Sequence, residues 1–286
     1  MTQVAETTPL LITAAICGAE VFRDQTPYLP YTPVELADEA VRCHDAGATM
    51  VHLHVREPDG RPSQRAELFG ETMERIRARC PILVQFSTGG AVGMSVAERA
   101  DAVRLRPDMA TLTTGSVNFG DDVFVNRPPD VRAIAARLRE YGVRPEVECF
   151  DSGMVDAALR LAKDGLLDLP AHFNFVLGMP GGMGGTPQHL DFIRALVPAG
   201  STWSVAGIGR WEMPLAAHAI AHGGHVRVGL EDNLFVAKGV LAKGSYELVA
   251  HVVALAAAGG RRRATLAEAR DVLRLPAVPA RASTAS

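Results

Sequence analysis

Short apolar runs alternate along this chain with longer stretches in which apolar residues recur at helical spacing. The runs at 11–15, 50–55, 82–86, 109–113, 145–150, 173–177, 203–206 and 226–230 predict eight strands. Between them the spacing predicts helices, clearest over 33–44, 63–79, 129–141 and 152–164. Thr32-Pro33 with Glu35 reads as a helix start, a cap followed by proline in the first turn. Gly142 and Gly165 stand where helices should stop. Strand and helix alternating from end to end imply parallel βαβ units. Right-handed crossovers would close these into an α/β fold of the (β/α)8 barrel type. A doubly wound open sheet is the alternative, but the first strand lacks the glycine turn that fold often carries. No linker divides the chain, so residues 1–275 are expected to form one barrel domain. The Pro-, Ala- and Ser-rich stretch 276–286 is expected to be a disordered tail.

Within that pattern, Thr49 to Val55 follows the Asp45-Ala46-Gly47-Ala48 break. A strand there points His52, His54 and Arg56 the same way. Two imidazoles so spaced can serve as a pair of ligands for a divalent metal, or equally as a hydrogen-bonded polar layer. A second strand ends in Glu231-Asp232-Asn233, and a carboxylate there could complete a His, His, Glu set. A barrel gathers its chemistry at the C-terminal ends of its strands. Glu20, His52, His54, Ser87 to Gly90, Thr111, Thr113, Glu148, Arg227, Glu231 and Asp232 all fall at such ends. Glycine-rich loops follow strand six (Gly178 to Gly185) and strand seven (Gly207 to Trp211). They can cradle a phosphate or be plain tight turns.

The chain has 286 residues, 48% of them hydrophobic, with a net charge of −3, which suits one large domain and argues against nucleic acid as a partner. The basic run Arg261-Arg262-Arg263 reads as a solvated helix entry. Cys17, Cys43, Cys80 and Cys149 show no paired spacing, which fits buried thiols in a reducing cytoplasm. The apolar stretch from Pro9 to Ala19 is shorter than the roughly 20 residues a membrane span needs, so no membrane partner is expected.

Longer blocks carry a resemblance. They are Thr13-Ala14-Ala15-Ile16 with Gly18-Ala19-Glu20, His52-Leu53-His54 through Gly60-Arg61-Pro62-Ser63-Gln64, and Gln85 through Gly93. Further blocks are Met109-Ala110-Thr111-Leu112, Asn118 through Asp122, Pro145-Glu146-Val147-Glu148, the glycine loop from Gly178 to Gly185, Ala206 through Trp211, and Gly223-Gly224-His225 through Asn233. Together they resemble the β-keto acid cleavage enzymes, in particular the branch that cleaves 3-keto-5-aminohexanoate in lysine fermentation. The resemblance implies a (β/α)8 barrel, usually a homotetramer with zinc or another divalent metal, that joins a β-keto acid to acetyl-CoA as co-substrate. It implies His52, His54 and Glu231 as metal ligands, and Asp232, supported by Arg227 and Glu148, as the proton-transfer group. Ser87, Gly90 and Thr111 would hold the substrate carboxylate and keto group, and Glu20 a substrate ammonium. Gly181, Gly182 and Arg210 are the candidates for CoA. Three departures bear on specificity: Glu212 stands where that branch has histidine, Thr113-Thr114 replace an Asn-Ala pair, and Phe150-Asp151 replace Tyr-Glu. The alternatives are a metal-dependent hydrolase of the amidohydrolase type and a non-catalytic barrel binding metal or CoA. The hydrolase would place its paired histidines on the first strand and draw further ligands from positions that His172 and His189 do not occupy.

Overall fold

A computed structural model describes residues 9–276. The barrel expected over 1–275 therefore loses its first eight residues from view, and of the tail expected at 276–286 only Pro276 is described. Eight parallel strands close into a barrel: β1 (Ile12–Ala15), β2 (Met50–Leu53), β3 (Leu83–Phe86), β4 (Met109–Thr113), β5 (Arg144–Cys149), β6 (His172–Leu177), β7 (Thr202–Gly207) and β8 (His225–Val228). Each strand pairs in parallel with its sequence neighbour, and β1 closes the ring against β8 with Ile12 opposite Val226. The helices are α1 (Pro33–Ala46), α2 (Ala66–Arg77), α3 (Val96–Asp101), α4 (Pro128–Tyr141), α5 (Ser152–Lys163), α6 (Pro187–Arg194), α7 (Glu212–Ala221), α8 (Ser245–Ala258) and α9 (Leu266–Leu273). Thr32 caps α1 in a capping box with Glu35, and Gly142 ends α4 at φ 66°, as the sequence predicts. Among the described residues no helix is long and apolar enough to cross a membrane.

Two expectations need correction. The strand expected over 50–55 stops at Leu53, because Val55–Arg56 leaves the barrel and pairs antiparallel with Pro62–Ser63. Arg261 is buried rather than solvated; its guanidinium donates to the carbonyls of Ile220, Gly224 and Pro9.

The barrel interior is graded in polarity. At its lower end Leu11, Met50, Leu83 and Met109 meet Ala269 and Leu273 of α9 in an apolar plug. Above it His172 and His225 are buried, with His172 Nδ1 2.8 Å from Thr202 Oγ1 and the His225 ring accepting the Leu11 N–H. Burial, with Arg144 acting the same way, holds His172 down at about 3, and burial holds His225 well below the usual imidazole range. Both are therefore neutral when folded, whereas the unfolded chain takes up protons near pH 6.5. Stability that is complete above pH 6.5 is lost as pH falls toward 3, by about 1.4 kcal/mol per pH unit for each histidine. Urea midpoints measured at pH 7.5 and 5.5 should show this loss, and His172→Asn should make it shallower. An equally steep decline in the variant would remove His172 from the account.

Candidate active site

At the opposite end, two strand termini meet. His52 is the next-to-last residue of β2, and His54 follows where the chain turns out of the barrel. From β8 the chain turns at Gly229, whose φ is 151°; a Cβ there would sit 2.1 Å from the Ala15 carbonyl oxygen, so no other residue fits. This turn delivers Glu231 and Asp232 beside the histidines. Gly18 leaves the room Glu231 occupies, since a Cβ on it would lie 2.6 Å from Glu231 Cγ.

His52 Nε2 and His54 Nε2 each lie 3.5 Å from Glu231 Oε1. The ligand atoms of these three residues all lie within 4.8 Å of one another. His52 Nδ1 is 2.7 Å from Gln85 Oε1, so the ring carries its proton there and turns the Nε2 lone pair toward Glu231. Burial opposes charge on both rings. On His52 burial is the largest single influence, but Glu231 and the Gln85 bond together outweigh it and raise the pKa; on His54 burial prevails and lowers it.

Arg227, on β8, ties the carboxylates together. Its Nε and Nη2 donate to Asp232 at 2.8 and 2.9 Å, its Nη2 to Glu231 at 2.5 Å and its Nη1 to Glu148 at 3.5 Å. Thr113 donates to the other Glu148 oxygen at 2.6 Å. Burial pushes Asp232 up to about 6 against the pull of Arg227, with Glu231 adding to the rise. Glu231 goes the other way: burial opposes its charge, but Arg227, His52 and His54 hold it well below the usual carboxylate range.

These groups face one cavity of about 360 Å³, which Glu20, Ser87 and Gly90 also line. Its far wall is apolar, made by Phe119, Phe124, Phe150, Met179 and Ile208. No periodicity marks these wall residues, because most of them sit in loops. Glu20 is exposed, and no ion pair involves it among the described residues: Arg23 pairs with Glu35, and Arg56 donates to Cys17 Sγ and the carbonyls of Gly18, Val21 and Gly60. Arg56 thus braces loops instead of joining the histidines.

Other expected site residues lie outside the cavity lining. Thr111 accepts the Thr88 N–H at 3.0 Å while its carbonyl accepts the Thr88 hydroxyl at 2.7 Å, so it shapes the Ser87–Gly90 loop from behind. Gly181 packs on Asn118, where a Cβ would meet the carbonyl oxygen at 2.3 Å, and Gly182 lies against Phe150. Arg210 is exposed and stacks on Trp211. Of the three departures, only Phe150 reaches the cavity. Thr114 bonds the Met154 carbonyl, and Asp151 caps α5.

Glu212 is a brace that the sequence pattern does not reveal. It is buried, and its two oxygens accept from the Gly229 N–H at 2.9 Å and Asn233 Nδ2 at 2.8 Å, on either side of Glu231-Asp232. Glutamine can supply only one acceptor there and turns its amide donor onto a donor. Glu212→Gln should therefore cost about 1–3 kcal/mol of stability, read from urea unfolding, the range for leaving a buried polar group unmatched. An unchanged midpoint would contradict this role.

Comparison with known proteins gives the family and the fold of the chain as a whole. The family described as beta-keto acid cleavage enzyme matches residues 9–275. A 3-keto-5-aminohexanoate cleavage enzyme of Fusobacterium nucleatum is 50% identical over 268 residues, 93% of this chain and 98% of the relative. A 3-oxoadipate:acetyl-CoA acetyltransferase of Cupriavidus necator is 40% identical over 95% of this chain and 97% of its own. Among solved structures, a binary complex of ObcA with oxaloacetate is 25% identical, with a TM-score of 0.76 over 88% of this chain and 68% of that one.

Proposed function

The chain belongs to the beta-keto acid cleavage enzyme family, and on that premise we propose that it is an acyltransferase joining 3-keto-5-aminohexanoate to acetyl-CoA, with acetoacetate and 3-aminobutyryl-CoA as products. The observation that carries this reading is Arg227 holding Asp232 and Glu148 at the cavity that His52, His54 and Glu231 also face.

We assign His52, His54 and Glu231 to a divalent cation, with zinc the leading candidate. The residues fit one: Glu231 Oε2 is buried without a hydrogen-bond partner among the described residues, two imidazoles and a carboxylate form a borderline donor set, and three carboxyl groups share a single guanidinium. When bound, such a cation supplies Lewis-acid stabilisation of the enolate of a β-keto acid. Ser87 and the backbone at Gly90 hold the substrate carboxylate, with Thr111 positioning them through Thr88. Asp232, oriented by Arg227, accepts the C2 proton. The C2 carbanion forms a bond to the acetyl carbonyl carbon, and the C–S bond breaks to release the CoA thiolate. That thiolate adds to the original keto carbon. Cleavage of the C2–C3 bond leaves the new thioester and the acetoacetate carbanion, to which Asp232 returns its proton. The apolar wall keeps water from the thioester. Arg210, with no acid partner among the described residues, is assigned to the CoA phosphates, beside the loop of Gly181 and Gly182.

Four buried free thiols suit a cytoplasmic setting, and exposed Phe192, Leu169 and Leu196 suit a homotetramer. With this substrate the enzyme serves lysine degradation.

Glu20 is the residue assigned to the substrate ammonium. Glu20→Gln should weaken use of the amino-substituted keto acid and spare an uncharged one of equal length. A charge-assisted hydrogen bond is worth roughly 1.5–3 kcal/mol, so the ratio of the two kcat/KM values should fall about ten- to a hundredfold. The exposure of Glu20 places the effect toward the lower end. Equal losses on both substrates would assign Glu20 to the fold.

A further inference from the structure

Away from the cavity, α7 carries two histidines one turn apart, His218 within the helix and His222 at its C-terminal cap. Side chains four residues apart on a helix share a face, and these two rings lie 4.1 Å apart between centroids. The neighbouring helix α6 brings Asp191 to the same place, with Oδ1 2.9 Å from His218 Nε2. The ligand atoms of the three residues lie within 4.8 Å of one another. We propose that Asp191, His218 and His222 form a second divalent transition-metal site, which fastens α6 to α7 on the outside of the barrel.

Each side chain is prepared for that role. His222 Nδ1 donates to the His218 carbonyl at 2.8 Å, which fixes its tautomer and leaves the Nε2 lone pair for a ligand bond. A backbone carbonyl behind the ring is the usual support of a metal-bound histidine. His218 Nε2 and Asp191 Oδ1 face each other, so a cation in place of the proton between them would be held by both. Arg194 competes for Asp191, its Nε lying 2.8 Å from the same Oδ1. That pair is only partly buried, and ion pairs near the surface contribute little. The guanidinium also lies over the Trp203 ring at 5.9 Å, a resting place it keeps if the carboxylate turns to a cation. Two imidazoles and one carboxylate favour zinc, nickel or copper over magnesium or calcium. Both helices follow loops that wall the cavity, Met179–Pro180 before α6 and Ile208 before α7. An ion here would therefore stiffen the support of that wall without touching substrate.

The test uses full-length protein stripped with EDTA and dialysed against zinc ions alone, with bound metal counted by mass spectrometry. The parent should bind two zinc ions per chain. His222→Ala, a change at an exposed residue, should bind one and keep its turnover with acetyl-CoA. His52→Ala should also bind one, and the double variant none. Because loss of an outer support alone weakens metal sites about 10–100-fold, loss of the ligand His222 should weaken this site by at least that factor. Zinc should also raise the melting temperature of His52→Ala and leave that of the double variant unmoved. Two ions in His222→Ala, no ion in His52→Ala, or an equal thermal shift in the double variant would overturn the proposal.

Discussion

Asp232→Asn is expected to lower kcat by about 10²–10⁴-fold, the usual cost of losing a general base, while metal content and substrate affinity stay near those of the parent. Two features keep the shape of the site through this change. The carboxylate is fixed by two bonds from Arg227, at 2.8 and 2.9 Å, and asparagine keeps one acceptor for that guanidinium. Its amide has nearly the same shape, so the cavity is preserved, but one Arg227 N–H loses its acceptor, and a stability loss of about 1–3 kcal/mol should accompany the loss of proton acceptance. The check is steady-state kinetics with zinc content measured on the same sample. A kcat within a few-fold of the parent would give Asp232 a structural role.

His52→Ala should abolish nearly all turnover by another route. It removes one of three ligands, and the remaining pair, His54 and Glu231, binds a divalent ion weakly. The substitution also leaves Gln85 Oε1 without its imidazole partner inside the barrel, where its Nε2 already lacks one among the described residues. A stability loss of about 1–3 kcal/mol should accompany the loss of metal. His54→Ala separates the two effects, because among the described residues His54 has no such partner beneath it: metal should be lost with less destabilisation. Full activity of a metal-free preparation would remove the cation from the reaction.

The barrel could be read from the sequence because its causes are local. Alternation in eight runs and capping at Thr32 act within a few residues. His52, His54, Glu231 and Asp232 were legible for a related reason, since strand ends in a barrel converge on one mouth. Their convergence did not require the strict strand alternation assumed for them: β2 ends at Leu53, and His54 arrives through the turn that carries Arg56 away. What stayed hidden depends on contacts distant in sequence. Glu212 meets Gly229 from 17 residues away, and Arg261 reaches Gly224 from 37. Thr111 has the character of a site residue, yet its hydroxyl is spent on Thr88. Glu20 reads as a desolvated carboxylate only until its exposure is seen.

The central claim is a carbon–carbon cleavage in which the acetyl group and the CoA part company. Incubation of the zinc-loaded protein with 3-keto-5-aminohexanoate and acetyl-CoA labelled with carbon-13 in the acetyl group, followed by mass spectrometry, tests it directly. The account predicts label in acetoacetate and an unlabelled 3-aminobutyryl-CoA. Label in the new CoA ester, or hydrolysis of the keto acid with no new ester, would contradict it.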